Sequence, residues 1–112
     1  MLSSQTCTAC RADAPKLSAS DVDLLLKDLP DWTLQTVDGV DQIHRSFRFK
    51  NFKDALQFTN QVGAMAEEEG HHPAITTEWG NVSVVWWTHN INGLHKNDMI
   101  CAAKTDQLAG EG

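Results

Sequence analysis

Three of the chain's five histidines, His71, His72 and His89, are the residues best suited to chemistry. An imidazole with an ordinary pKa of about 6.5 gives and takes protons near neutrality, so proton transfer is the natural hypothesis for such a set. His71 and His72 are adjacent, between Glu67-Glu68-Glu69-Gly70 and Pro73. Pro73 fixes its own φ and pushes His72 out of the α region, which places the pair in an irregular joint. Neighbours in an extended segment point to opposite sides, so the two histidines are expected to hold different jobs, one facing a cleft and the other oriented or packed. The bland alternative for each is a capping or surface histidine.

A metal site is the main chemical rival. Cys7-Thr8-Ala9-Cys10 is a CxxC, yet it has no second CxxC or HxxxH beside it. His71-His72 also lacks the i,i+4 spacing that aims two imidazoles at one ion from a helix. No metal is therefore expected. Cys101, between Ile100 and Ala102 on an expected helix, is a weak candidate nucleophile.

The elements that must position these residues can be read from period and punctuation. Ser18 or Ser20 caps a first helix through Val22, Leu25, Leu26 and Leu29, which Pro30 stops. Segments 32–37 and 40–49 flank Asp38-Gly39, a type I′ hairpin signal that sets Leu34 opposite Ile43. Ile43, Phe47 and Phe49 then share a buried face, interrupted only by Arg45, while His44, Ser46 and Arg48 face away. Asn51 caps a second helix, with Asp54 at N3 and a stripe of Phe52, Ala55, Leu56, Thr59, Val62, Gly63 and Ala66, closed by Gly70.

Segments 74–79 and 82–89 flank Gly80-Asn81, read as a type II′ turn. That turn pairs Trp79 with Val82, Thr77 with Val84 and Ile75 with Trp86, leaving Trp87 and His89 on the other face. A last helix starts near His95 and Lys96, with Asp98 in its first turn, and continues through Met99, Ile100, Ala103 and Gln107. The order α-β-β-α-β-β-α with adjacent hairpins implies an α+β fold, an antiparallel sheet with helices on one face.

A chain of 112 residues fits one domain, here residues 17–112, preceded by an N-terminal arm, residues 1–16, that carries the CxxC. The net charge of −6 and the scattered basic residues argue against nucleic acid or an anionic membrane as partner. The cluster of Arg45, Arg48, Lys50 and Lys53 reads as a solvated strand face. No run approaches the roughly 20 apolar residues of a membrane span, and the first residues lack a signal peptide's basic start and apolar core. An odd number of cysteines suits a reducing compartment, so a cytoplasmic location is expected.

At this point the chain resembles the pterin-4a-carbinolamine dehydratases. Their pattern runs from an acidic or related residue to His-His-Pro, an aromatic, a His or Trp, and an Asp, and reads here as Glu67, His71-His72-Pro73, Trp79, His89 and Asp98, with every gap in range. The resemblance covers about residues 17–110. It implies a four-stranded antiparallel sheet with three helices on one face, and homodimers or homotetramers. It also implies dehydration of 4a-hydroxytetrahydropterin to quinonoid dihydropterin, in recycling the pterin of aromatic amino acid hydroxylases, with such a hydroxylase as a partner.

No metal or organic cofactor is required by that reaction, since the pterin is the substrate. Under the resemblance His71 and His89 act as acid and base in either order, and His72 positions a ring or the substrate. Asp98 either orients an imidazole or serves the helix dipole, Trp87 either stacks on a pterin or lies in an interface, and Glu67 and Pro73 are supporting residues. The alternative class is a dehydratase-like binding module for a hydroxylase or another partner.

Overall fold

In a computed structural model, described for residues 16–110, the element order is α1 (Ala19–Leu26), β1 (Thr33–Val37), β2 (Val40–Arg48), α2 (Phe52–Glu69), β3 (Ala74–Glu78), β4 (Asn81–Trp86), a 3₁₀ turn (His89–Ile91) and α3 (Lys96–Leu108). The expected α-β-β-α-β-β-α order therefore holds. The arm's Cys7 and Cys10 lie outside the described residues.

Local chemistry sets most of the boundaries. Ser18 caps α1, its Oγ accepting from Asp21 N at 3.2 Å, and Asn51 caps α2, its Oδ1 accepting from Asp54 N at 2.8 Å. The β1–β2 turn is the expected one: Asp38 and Gly39 both have positive φ, 52° and 78°, and Leu34 pairs with Ile43.

The second hairpin differs from expectation. Glu78 pairs with Asn81 and Thr77 with Val82, so Trp79 and Gly80 form the turn and Trp79 is exposed. Gly80 does not have positive φ. Its need is for space, because a Cβ there would lie 3.0 Å from the Phe49 carbonyl oxygen, while Phe49 N donates to the Gly80 carbonyl at 2.9 Å. The shift moves the pairing by two residues, an even number, so each side chain keeps its face.

The four strands form one antiparallel sheet in the order β1-β2-β4-β3. Its centre pairs Ile43 with Trp86, Arg45 with Val84 and Phe47 with Val82. Ile43, Phe47, Val82, Val84 and Trp86 share a core with Val22 of α1, Ala55, Phe58, Val62 and Ala66 of α2, and Met99 to Ala102 of α3. All three helices thus pack on one face. Ser46 and Ser83, hydroxyls 3.1 Å apart, lie on the other.

The inward stripe of α2 is rotated from the expected one. Phe58 is buried, its ring 4.8 Å from Phe47 and 5.2 Å from Phe49 between centroids, whereas Phe52 and Leu56 face outward. Packing of three rings outweighs the purely periodic choice. Arg45, the charge on the apolar side, is accommodated at the core's edge. It donates to Asp106 Oδ1 at 2.7 Å, Trp32 Nε1 donates to the same oxygen at 2.9 Å, and the guanidinium carbon sits 4.4 Å from the Phe47 ring centroid.

Candidate active site

The joint between α2 and β3 aims the two adjacent histidines. Gly70 adopts the left-handed conformation, φ 66° and ψ 28°, which costs a glycine little. Gly70 N donates to the Glu67 carbonyl at 3.2 Å and His71 N to the Ala66 carbonyl at 3.1 Å, the double bond of a Schellman cap. This cap turns His71 inward. Half-buried Pro73 then starts the extended chain into β3, and His72 points to solvent.

His71 is 3% exposed and lies flat against Trp86, ring centroids 5.5 Å apart and planes 8° from parallel. Its Nε2–H donates to Asp98 Oδ1 at 2.5 Å, so Nδ1 is the basic nitrogen of the neutral ring. Asp98 is fully buried and its other oxygen is also engaged. Oδ2 accepts from Thr88 Oγ1 at 2.8 Å and from His95 N at 2.9 Å. Three donors from three segments converge on one carboxylate, which meets the demand that a buried charge be fully hydrogen-bonded.

Thr88 follows β4 and is tied to Gly93 by an antiparallel bridge, Thr88 N donating to the Gly93 carbonyl at 2.8 Å. The bridge closes a short loop that begins with His89. The expectation that β4 runs to His89 is therefore corrected: the strand ends at Trp86, and His89 opens a 3₁₀ turn. His89 is exposed and stacks on half-buried Trp87, centroids 4.4 Å apart and planes 24° apart. Residue 88 holds Asp98 and residue 89 carries the imidazole, so a single peptide unit links the stack to the buried network.

His72 belongs to a different environment. Its Nε2–H donates to Glu67 Oε1 at 2.6 Å, with the two side chains 62% and 79% exposed. Such an exposed pair contributes little to stability, typically about 0–1 kcal/mol.

The structure thus brings His71 to Asp98, His72 to Glu67 and His89 to Trp87. Three participants were not singled out from sequence: Thr88, Trp86 and His95. His95 caps α3, with its Nδ1 accepting from Asn97 N at 3.0 Å while its own N–H reaches Asp98, a reciprocal capping box. The signal available was the spacing of an N-cap and an acidic residue three positions on. Burial holds the His95 imidazole below its ordinary pKa, the Asp98 charge opposes that shift, and the neighbouring His71 adds to it. Among the described residues no three His, Cys, Asp or Glu side chains gather as ligands for one ion, and no helix is long and apolar enough to cross a membrane.

An antiparallel α+β domain with a buried His–Asp pair at the joint of α2 and β3 defines the class. Residues 15–108 match the family model described as pterin 4 alpha carbinolamine dehydratase, and the chain belongs to that family. A relative in Syntrophotalea carbinolica, provisionally named a pterin-4-alpha-carbinolamine dehydratase, is 57% identical over 107 residues, 96% of each chain. One of the same provisional name in Saccharophagus degradans is 57% identical over 104 residues, covering 93% of this chain and 92% of its own. A crystal structure from Brucella melitensis, described as a transcriptional coactivator/pterin dehydratase, superposes with a TM-score of 0.77 at 36% identity, covering 86% of this chain and all of that one. A pterin dehydratase-like RuBisCO assembly factor of the alpha-carboxysome shares the fold, with a TM-score of 0.63 at 24% identity over 73% of this chain and 93% of its own.

Proposed function

We propose that this protein is a lyase that dehydrates 4a-hydroxytetrahydropterin to quinonoid dihydropterin and water by histidine acid–base catalysis. The observation that carries the reading is the buried His71–Asp98 pair, held one residue from His89, in a chain of the dehydratase family. The carbon–oxygen bond at the 4a position breaks as one imidazolium protonates the departing hydroxyl, which leaves as water. A neutral imidazole takes the proton from the ring nitrogen whose electron pair forms the new double bond. One proton enters and one leaves, so the step needs neither a metal nor an organic cofactor.

His71 and His89 are the two proton carriers in this reading. Asp98 fixes the His71 tautomer and ring plane. Exposed His72 contacts the substrate and is set by Glu67, and the Trp87 face against His89 suits a planar pterin. Positioned acid–base groups contribute roughly 10²–10⁴ in rate, enough to outrun a spontaneous dehydration. The wider setting is recycling of tetrahydropterin for aromatic amino acid hydroxylation in the cytoplasm, by a homodimer or homotetramer that a hydroxylase partner could meet.

The test follows quinonoid absorbance after mixing protein with freshly generated 4a-hydroxytetrahydropterin. We expect acceleration over the spontaneous rate and a loss of at least about tenfold in both His71→Ala and His89→Ala, each still folded. No acceleration by the wild type would overturn the assignment. A second reading, a partner-binding module, draws on the coactivator description of the Brucella melitensis relative. It predicts partner binding that survives both substitutions.

A further inference from the structure

His95 stands outside the motif that marks the family resemblance, yet it touches the carboxylate at the centre of the site. Its backbone N–H is one of the two donors on Asp98 Oδ2, and its Nδ1 accepts from Asn97 N at the first turn of the helix that carries Asp98. The second bond demands a neutral ring. An imidazolium has a hydrogen on both nitrogens and cannot accept from Asn97 N, and its charge would face the positive end of the α3 dipole. Ser or Thr is the commoner cap at such a position, and neither titrates.

We infer that neutral His95 is a positioning residue that locks Asp98 against His71, and that protonating His95 releases this lock and switches the site down in acid. The inference rests on the proposed reading of His71 and Asp98 as working groups. Protonation removes the acceptor for Asn97 N and loosens the turn from His95 to Asp98. The carboxylate then loses its fixed hold on the His71 ring. The charged groups bearing on His95 are Asp98 of its own helix and His71 from the α2–β3 joint. Asp98 favours the proton, whereas burial and His71 oppose it. From the segment just ahead of α1, Leu17 N donates to the Leu94 carbonyl and the Lys16 stem lies over Gly93.

The same linkage acts on folding. A histidine whose folded pKa lies below its unfolded value stabilises the fold fully above the unfolded value, about 6.5, and that contribution is lost as pH falls through the folded pKa. Stability should therefore decline below about pH 6.5 by a component that belongs to His95.

The experiment compares the wild type with His95→Ser and His95→Ala. Ser keeps a cap acceptor and removes the titration. Dehydration near pH 8 should stay within about twofold for His95→Ser and fall about tenfold for His95→Ala. On the acid side His95→Ser should keep its rate to lower pH than the wild type. Amide NMR supplies a readout independent of catalysis: the Asn97 N–H should shift with pH below about 6.5 in the wild type and stay still in His95→Ser.

An unchanged acid limb in a catalytically active His95→Ser, or an Asn97 amide that ignores pH in the wild type, overturns the proposal. If His95→Ala does not fold, His95→Ser still decides. If the wild type shows no dehydration, the proposed function fails, while the Asn97 amide still decides this inference: a pH response in the wild type that is lost in His95→Ser supports it, and none in the wild type overturns it.

Discussion

The His71–Asp98 bond gives the sharpest test, through Asp98→Asn. The amide is nearly the same shape as the carboxylate but offers one acceptor oxygen and one NH₂. Its oxygen belongs on the side of Thr88 Oγ1 and His95 N, where two donors converge at 2.8 and 2.9 Å. The NH₂ then meets His71 Nε2, donor against donor, at the 2.5 Å contact. The conflict is relieved if His71 moves its proton to Nδ1, so that Nε2 accepts. The ring stays in place with the wrong nitrogen protonated.

Replacing charge-assisted hydrogen bonds by neutral ones in this fully buried position is expected to cost about 1–3 kcal/mol of stability. That is tolerable within the roughly 5–15 kcal/mol of a typical domain. Turnover should fall much further, by about 10²–10⁴, because the His71 ring then offers the wrong nitrogen for proton transfer. The assay is stopped-flow quinonoid formation with the spontaneous rate subtracted, alongside a thermal melt and imidazole NMR to read the His71 tautomer. A folded Asp98→Asn with turnover within about twofold of the wild type would refute the orienting role of Asp98.

The remaining expectations concern individual contacts. Gly70→Ala places a Cβ at φ 66° and should cost about 1 kcal/mol in urea denaturation, with activity falling as the His71 backbone shifts; unchanged stability would refute the strain argument. Asp106→Ala removes the shared acceptor of Arg45 and Trp32 at the core's edge and should destabilise by roughly 2–4 kcal/mol without altering the pH profile of activity. His72→Ala removes an exposed pair, so the melting temperature should hardly move while KM rises, and an unchanged KM would take His72 out of substrate contact.

Much of the scaffold was legible because it is set by chemistry within a few residues. Asn51 and Ser18 needed only the next turn to become caps. Asp38-Gly39 needed only positive φ to become a hairpin, and Gly70 only freedom from a Cβ to end α2. The histidine adjacency foretold two environments because alternation in extended chain is a backbone property. The second hairpin departs from its local signal because the deciding contact is distant. Gly80 pointed to a type II′ turn, but the Phe49 backbone, brought alongside by β2, claimed that glycine for close approach. The α2 stripe departs from its period likewise, because Phe58 buries itself only once Phe47 and Phe49 are in place.

Local sequence patterns set the element order, the helix starts, the Gly70 end of α2, the faces of the strands and the spacing that relates the chain to its family. These follow from the periods of helix and strand and from residues with special φ or capping atoms, all local. Helix α1, by contrast, stops at Leu26, short of the expected Leu29 and Pro30. The placing of β2 beside β4, and of His71 as the buried histidine with Trp86 against its face, came from the folded chain. It alone united the carboxylate of Asp98, Thr88, His95 and a ring 27 residues back in the chain. A hydrogen bond across that separation depends on the sheet having closed and the helices having docked, and no local pattern carries that information.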